Sequence, residues 1–507
     1  VTLHEVRVVP SRVPLPREAQ LAWKIAAVAS DAVAGARVLD DADVVAMVGD
    51  RLIDNAAVAL AAIDREPVAN ARSMALAHPR AGGATLYGLP ATTTVGAEWA
   101  AWANATAVRE LDFHDTFLAA DYAHPGDSIA PLLAVAQQLG RTGADLLRGV
   151  AVAYEVHVAL VKGICLHAHK KDHMAHLAPA SAAGIGALLA LPTEVVYQAV
   201  QQAVHTSFST RQSRKGEISS WKAYVPGYSG LLAVLAVDRA MRGERSPSPI
   251  YEGEDSVVAW MLGGRDAVYQ VPLPDPGEPP RQILETYTKE HSAEYQAQAL
   301  IDLAFRLRAR VPDWARVARV LVRTSHHTHT VIGSGSNDPQ KYDPTASRET
   351  LDHSIPYILA VALQDGRWHH VDSYLPERAA RPDTVALWRK VETVEDPAWT
   401  ARYHDPDPAR KAFGGRVEIT FDDGRVIADE LEVADAHARG RAPFRRPKYV
   451  AKLDALVGDR LEPAERDRFL DAVGRLATLQ PAELPALVPA LPMGSVVRSE
   501  RDARGIF

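Results

Sequence analysis

Cysteine is almost absent from this chain, with only Cys165 among 507 residues. One thiol forms no intrachain disulfide, and it cannot supply the roughly four ligands of a usual iron–sulfur cluster. Long hydrophobic runs are missing too. The longest small-apolar stretch, residues 178–191, is Ala/Gly-rich and falls short of the ~20 residues that cross a bilayer. No charge of one sign dominates. Lys and Arg number 56 against 63 Asp and Glu, for a net charge of −7, which argues against general binding to nucleic acid or anionic membranes. Residues 1–13 mix Glu, Arg and Pro without an apolar core, so no secretory signal is expected and a cytoplasmic protein is the default. Internal repeats, Walker loops, nucleophile elbows and complete dinucleotide fingerprints are also lacking.

What is present reads as helix first. Apolar residues recur at three- and four-residue spacing over 20–30, 44–64, 129–139, 145–160, 194–204 and 231–241. Residues 271–280 carry five prolines and read as a linker. The texture then changes. Residues 317–324 alternate and are β-branched, 354–363 look helical, and 416–421 with 425–433 flank an Asp-Asp-Gly turn as a hairpin. Helical pattern returns at 447–457 and 463–477. The expected fold is mainly α: a large all-α domain built from 1–275 and 441–507, with a smaller α+β lid inserted at 276–440. A cleft between two such domains is a common ligand site.

Chemistry-bearing residues gather in five stretches. The densest is LDFHDTFLAADYAHPGDS, residues 111–128, which crowds Asp112, His114, Asp115, Thr116, Asp121, His124 and Asp127 together. Acids and imidazoles this close can be tuned apart for proton transfer; a polar helix end followed by a His-Pro turn is the competing reading. The stretch 165–176 holds four His around Lys170 and Lys171. His169, His173 and His176 have the spacing of ligands on one helix face, but the two lysines repel a cation, and no metal is expected. A solvated helix start and the polar edge of an anion site stay open. The stretch 211–222 offers Arg211, Arg214, Lys215 and Lys222 with Ser213, Ser219 and Ser220: either a carboxylate or phosphate cradle or a basic surface loop. There Trp221 is expected to bury and draw Lys222 inward. Residues 287–296 read as helix capping, and 325–335 as a His-rich loop facing a ligand or a domain boundary, or holding a metal.

The opening motif resembles the LD(F/Y)NDT…HP.DN pattern of the MmgE/PrpD family. The likeness continues in order through KKDHMAH, RQSRKGEISSWKA, SPIYEGED and TKEHSAEYQAQ, then through residues 325–354 and KAFGGRVEITFDDG, and covers nearly the whole chain. The resemblance implies a cofactor-independent, homodimeric lyase acting on a small tricarboxylate. The implied reaction is dehydration of 2-methylcitrate to 2-methyl-cis-aconitate in the methylcitrate cycle of propionate breakdown. Decarboxylation of cis-aconitate and turnover of citrate are sibling alternatives, and a non-catalytic metal-binding protein is the reading from another class. Carried over by position, the catalytic set is Asp112, His124, His173 and Lys222, and the substrate-binding set is Thr116, Lys289 and Glu294, joined by Arg211 as a carboxylate clamp. His176 competes with His173, and His114 and Ser128 stand where many members have Asn. Asp115, Asp121 and Asp127 are expected to cap and to face solvent.

Overall fold

The computed structural model describes residues 1–35, 37–216, 218–496 and 505–507; Glu217 of the basic stretch lies outside them. The chain is mainly helical. Local signals fix several helix starts. Asp41 caps Ala42–Ala61 by accepting from the amides of Asp43 and Val44, and a Thr142/Asp145 capping box opens Gly143–Gly163. The helix expected at 231–241 begins ten residues earlier, as Trp221–Met241. Pro226, Gly227 and Gly230 hide its period in the sequence. Gly227 is there for close approach: a Cβ would lie 2.5 Å from the Trp102 carbonyl oxygen, on the helix Ala97–Arg109 packed against it.

Besides a core that runs from Val6 to Leu273 within the helical part, two larger apolar cores organise the described residues. The larger joins residues from Val38 to Ile283 with Tyr449, Leu453, Phe469, Leu484 and Leu491, so late helices close a body begun by early ones. The second holds residues from Ala293 to Ile427. There the helices Tyr295–Arg308 and Ile355–Asp365 pack on a four-stranded sheet. Its order is Val426–Leu431, Gly415–Phe421, Val317–Thr324, Val391–Glu395. The hairpin forms around Gly424 (φ 82°), and Val317–Thr324 pairs in parallel with Val391–Glu395.

Three expectations need correction. Residues 271–280 are not wholly linker, because Val268–Leu273 pairs antiparallel with Thr2–Arg7. Pro272 fits there because a two-stranded ribbon leaves one side of each strand without a ladder partner. The helical part is also not all-α, since it carries this ribbon and two shorter strand pairs, Pro79–Thr85 with Thr94–Val95 and Phe117–Leu118 with Tyr122–Ala123. Finally, 326–331 is a short helix rather than a loop, capped by Ser325, which accepts from the Thr328 amide at 3.2 Å.

Candidate active site

The site forms where the helix Ala97–Arg109 runs out. Two residues past Glu110, which caps that helix, Asp112 takes a left-handed φ of 50°, a region that Asn and Asp enter more readily than other non-glycine residues. That bend turns its carboxylate inward, where it is 1% exposed. Arg109 Nη1 donates to Oδ1 at 2.6 Å and Lys289 Nζ at 2.7 Å, while Lys222 Nζ stands 3.5 Å from Oδ2. Burial opposes ionisation here, yet Arg109, Lys289 and Lys222 hold the carboxyl well below its usual range. Asp112 is therefore a fixed anion at the centre of a cationic cage.

His124 faces the same carboxylate, with Nε2 3.8 Å from Asp112 Oδ1. Its Nδ1 lies 2.9 Å from the Asp115 backbone oxygen. A carbonyl only accepts, so Nδ1 carries the hydrogen and the neutral ring presents a bare Nε2. Burial and the Arg109 and Lys289 charges push the imidazole well below its ordinary pKa, against the pull of Asp112. His173 lies across from it, the two ring centroids 5.9 Å apart. Its Nδ1 is 3.1 Å from Asp172 Oδ1, and its Nε2 3.8 Å from Asp127 Oδ2. Asp172 is held in turn by Ser213 Oγ at 2.5 Å and by Arg214 Nε at 3.4 Å. His176 instead directs Nε2 at the Ile164 carbonyl oxygen (3.0 Å), inside the helix body, so His173 is the imidazole that faces the site.

Lys222 arrives from the second residue of Trp221–Met241. Its Nζ donates to Asp352 at 3.0 and 3.2 Å, and burial lowers its pKa against the charges of Asp352 and Asp112. Trp221 does not bury as expected: it is 51% exposed while Lys222 is 4% exposed, because adjacent helical positions face about 100° apart. Lys289 is wholly buried and also donates to the Asp112 carbonyl oxygen at 2.9 Å. Glu294 caps Tyr295–Arg308 by accepting from the Gln296 amide at 2.6 Å, and burial raises its pKa to about 7. Thr116 spends its hydroxyl proton on the Ala123 carbonyl oxygen at 2.9 Å, and its backbone bridges Tyr287. Arg211 donates through Nε to Tyr122 Oη at 2.9 Å, beside His173 and Arg214 at the end of a narrow cleft.

The expectation that Asp115, Asp121 and Asp127 face solvent is overturned: all three are 3% exposed or less. Asp115 accepts from Tyr154 Oη at 2.8 Å and from the Gly126 amide at 2.9 Å. Asp121 accepts from the Leu166 amide at 2.7 Å. Asp127 lies 2.8 Å from His114 Nε2. Such acids look like loop polarity in sequence because their partners lie on other elements. His114 is thus a neighbour of the Asp127–His173 pair, whereas Ser128 donates to the Pro125 carbonyl oxygen at 2.7 Å.

Sequence reasoning missed the Asp352–His353 pair, which sits just before Ile355–Asp365. Asp352 binds Lys222 and is 3.3 Å from Arg348 Nη1; His353 Nε2 is 3.7 Å from Asp112 Oδ2. Burial, with the Lys222 charge, lowers His353 to about 3. The adjacent Asp-His dipeptide inside the family motif was the available signal. Among the described residues, the ligand-type atoms that converge within 4.8 Å are those of Asp112, Asp352 and His353, not of the His-rich stretch 165–176. Lys222, Lys289, Arg109 and Arg348 already neutralise those two carboxylates, so the donor set suits a cation poorly.

A buried acid ringed by cations and flanked by two imidazoles can exchange protons and hold an anionic group. The MmgE/PrpD N-terminal domain model matches residues 21–270 and the MmgE/PrpD C-terminal domain model matches residues 291–478. The chain belongs to the MmgE/PrpD family. Curated relatives are 2-methylcitrate dehydratases. The Cupriavidus necator protein is 28% identical over 75% of this chain and 78% of its own length. The Salmonella typhimurium protein is 27% identical over 72% and 76%. A mitochondrial 2-methylcitrate dehydratase of Yarrowia lipolytica is 28% identical over 65% of this chain, a match that spans 64% of that protein.

Proposed function

We propose that the protein is a hydro-lyase that removes water from 2-methylcitrate to give 2-methyl-cis-aconitate, using side chains alone, in the methylcitrate cycle of propionate breakdown. The carrying observation is the locked tautomer of His124. A neutral imidazole with a bare Nε2, beside Lys289 and Lys222, is a base placed where negative charge develops. His124 Nε2 takes the proton from the carbon that bears a carboxylate. Lys222, Lys289 and Arg211 hold the carboxylates and the charge that builds on them. His173, set between Asp172 and Asp127, returns a proton to the departing hydroxyl oxygen, so a neutral water leaves. Asp112 orients the lysines and steadies the imidazolium of His124. Thr116 keeps the 111–124 loop in register, and Glu294 fixes the lid helix that follows Lys289.

The part holding the second core, 276–440, acts in this reading as a lid on the body formed by 1–275 and 441–507. Lys222 bonding to Asp352 across the two cores supports that arrangement. The family resemblance supports a homodimer, and cytoplasmic location fits the acidic composition; no described helix is long and apolar enough to cross a membrane. The test is incubation with 2-methylcitrate, citrate and cis-aconitate, following the unsaturated product by near-ultraviolet absorbance and any released carbon dioxide. Preferred turnover of 2-methylcitrate, unaffected by EDTA and lowered at least about 100-fold in Lys222→Met, is the expected result. Carbon dioxide from cis-aconitate with no dehydration would replace this reading with the decarboxylase, and reversible loss of activity on chelation would return a metal to the site.

A further inference from the structure

Above the catalytic centre lies a second, larger cavity of about 510 Å³. One wall comes from residues 167–171 and 210–215 and the other from 330–341, so it opens between the two apolar cores. Lys171, Arg211, Arg214, Lys215 and Lys341 line it against one carboxylate, Asp338. The two sides of the 167–215 wall are tied together, with the Asp172 amide donating to the Ser209 oxygen at 3.0 Å and the Arg211 amide to the Lys170 oxygen at 2.8 Å. At the rim, Lys215 Nζ reaches across to the Ser336 oxygen at 3.0 Å.

Two cations in this cavity are buried and incompletely satisfied. Lys341 is 3% exposed, yet among the described residues its ammonium makes no ion pair within 4 Å and no hydrogen bond. Arg214, its side chain 7% exposed, directs Nε at Asp172 (3.4 Å), while its buried Nη1 has no partner among the described residues. Buried charges without partners are rare because each one is a net cost to folding. Burial lowers the Lys341 pKa to about 8, with Asp338 and Asp352 opposing and Lys222 and Arg211 adding to the shift, so at neutral pH the charge persists and faces the cavity.

We propose that this cavity is an anion-binding site in series with the catalytic centre, taking a phosphate or carboxylate group of a small polyanion with Lys341 Nζ and Arg214 Nη1 as its anchors. Both anchors can donate charge-assisted hydrogen bonds, and among the described residues neither has another acceptor for that atom. The hydroxyls of Thr210, Thr330 and Ser336 around the cavity suit the remaining oxygens of such a group. The site stands apart from the question of which acid is dehydrated below it. Arg211 and Arg214 belong to both the cavity and the cleft that reaches His173, so the two adjoin.

Calorimetric titration of the full chain with inorganic phosphate, and separately with citrate, at low ionic strength tests this. Phosphate should bind the unaltered protein, and Lys341→Met should weaken it at least about tenfold, one charge-assisted contact being worth that much. The same variant should melt no lower without ligand, because the ammonium it removes pairs with no described residue; a purely structural lysine would lower the melting temperature. Lys341→Gln serves in its place if the methionine variant fails to fold. Lys222→Met should leave phosphate affinity within about threefold. Citrate binding without phosphate binding, weakened in Lys341→Met but not in Lys222→Met, assigns the site to carboxylates. No binding of either anion, or phosphate affinity that follows Lys222 rather than Lys341, overturns the proposal. Phosphate binding without any dehydratase turnover leaves it standing and removes only the catalytic reading.

Discussion

At the scale of single residues, one backbone hydrogen bond decides the most. The Asp115 carbonyl fixes the hydrogen of His124 on Nδ1, and burial keeps the ring neutral. His124→Gln keeps an amide that can still reach Asp115 but supplies no base, so kcat should fall by about 10²–10⁴ while circular dichroism stays unchanged. The depressed pKa also gives a sign. A base whose folded pKa lies well below 6.5 stays unprotonated through pH 6, so kcat should show no acid limb near 6.5; a limb there would assign the base to another group. Glu294 is the converse. Its raised pKa, about 7, makes the folded chain hold a proton that the unfolded chain has lost above ~4.3, so it costs stability increasingly as pH rises from there and levels off above 7. Glu294→Gln still accepts from the Gln296 amide and removes that penalty. Its melting temperature should exceed the wild-type value more at pH 8 than at pH 5.

Elements carry these residues, and their spacing is set by close crossings. Gly227 lets Trp221–Met241 lie against Ala97–Arg109, the two helices that deliver Lys222 and Asp112. A methyl at 227 meets the Trp102 carbonyl oxygen and, at 2.6 Å, Thr106 Oγ1. Gly227→Ala should therefore destabilise by roughly 1–3 kcal/mol and also raise KM, measured by denaturant titration and initial rates. Unchanged kinetics with lowered stability would mean the helices shift without moving Lys222. What was legible in the sequence follows the same division. The strand Val317–Thr324 and the hairpin around Gly424 carry period-two patterns and a turn that chemistry alone identifies. The parallel partner Val391–Glu395 does not, because five residues hold too little pattern and a crossover is non-local. The loop acids were misread for a related reason. Asp115 looks like surface until Tyr154, thirty-nine residues on, is seen to bond it. Lys341, which stands alone in its segment, offered no pattern at all.

Across the whole molecule, buried ionisation couples folding to acid. Asp112 and Asp172 have folded pKa values well below their ordinary range, and those of Asp127 and Asp352 are also lowered. An unfolded carboxyl titrates near ~3.9, so these four stabilise the fold above that value, and the stability is lost as pH falls below it toward their folded values. Buried neutral His124, His157 and His353 act in the same direction higher up, since the unfolded chain takes protons below ~6.5 that the folded one refuses. Unfolding monitored by tryptophan fluorescence should show stability falling most steeply below pH 4. Replacing Asp352 with Asn should make that final fall shallower, and should release Lys222 at the same time.

The larger core is written at both ends of the chain. Tyr449, Phe469 and Leu491 complete a body whose first members are Val38 and Val44. The second core is finished by Ile427. On a ribosome, the later-starting unit thus has all its residues first, while the earlier-starting one waits with an open apolar face until synthesis has passed position 491. The order of folding runs against the order of beginning, and the helices of residues 42–240 need shielding during that wait. A stalled chain that ends near residue 440 should carry a protease-resistant 291–440 fragment beside a sensitive amino-terminal half.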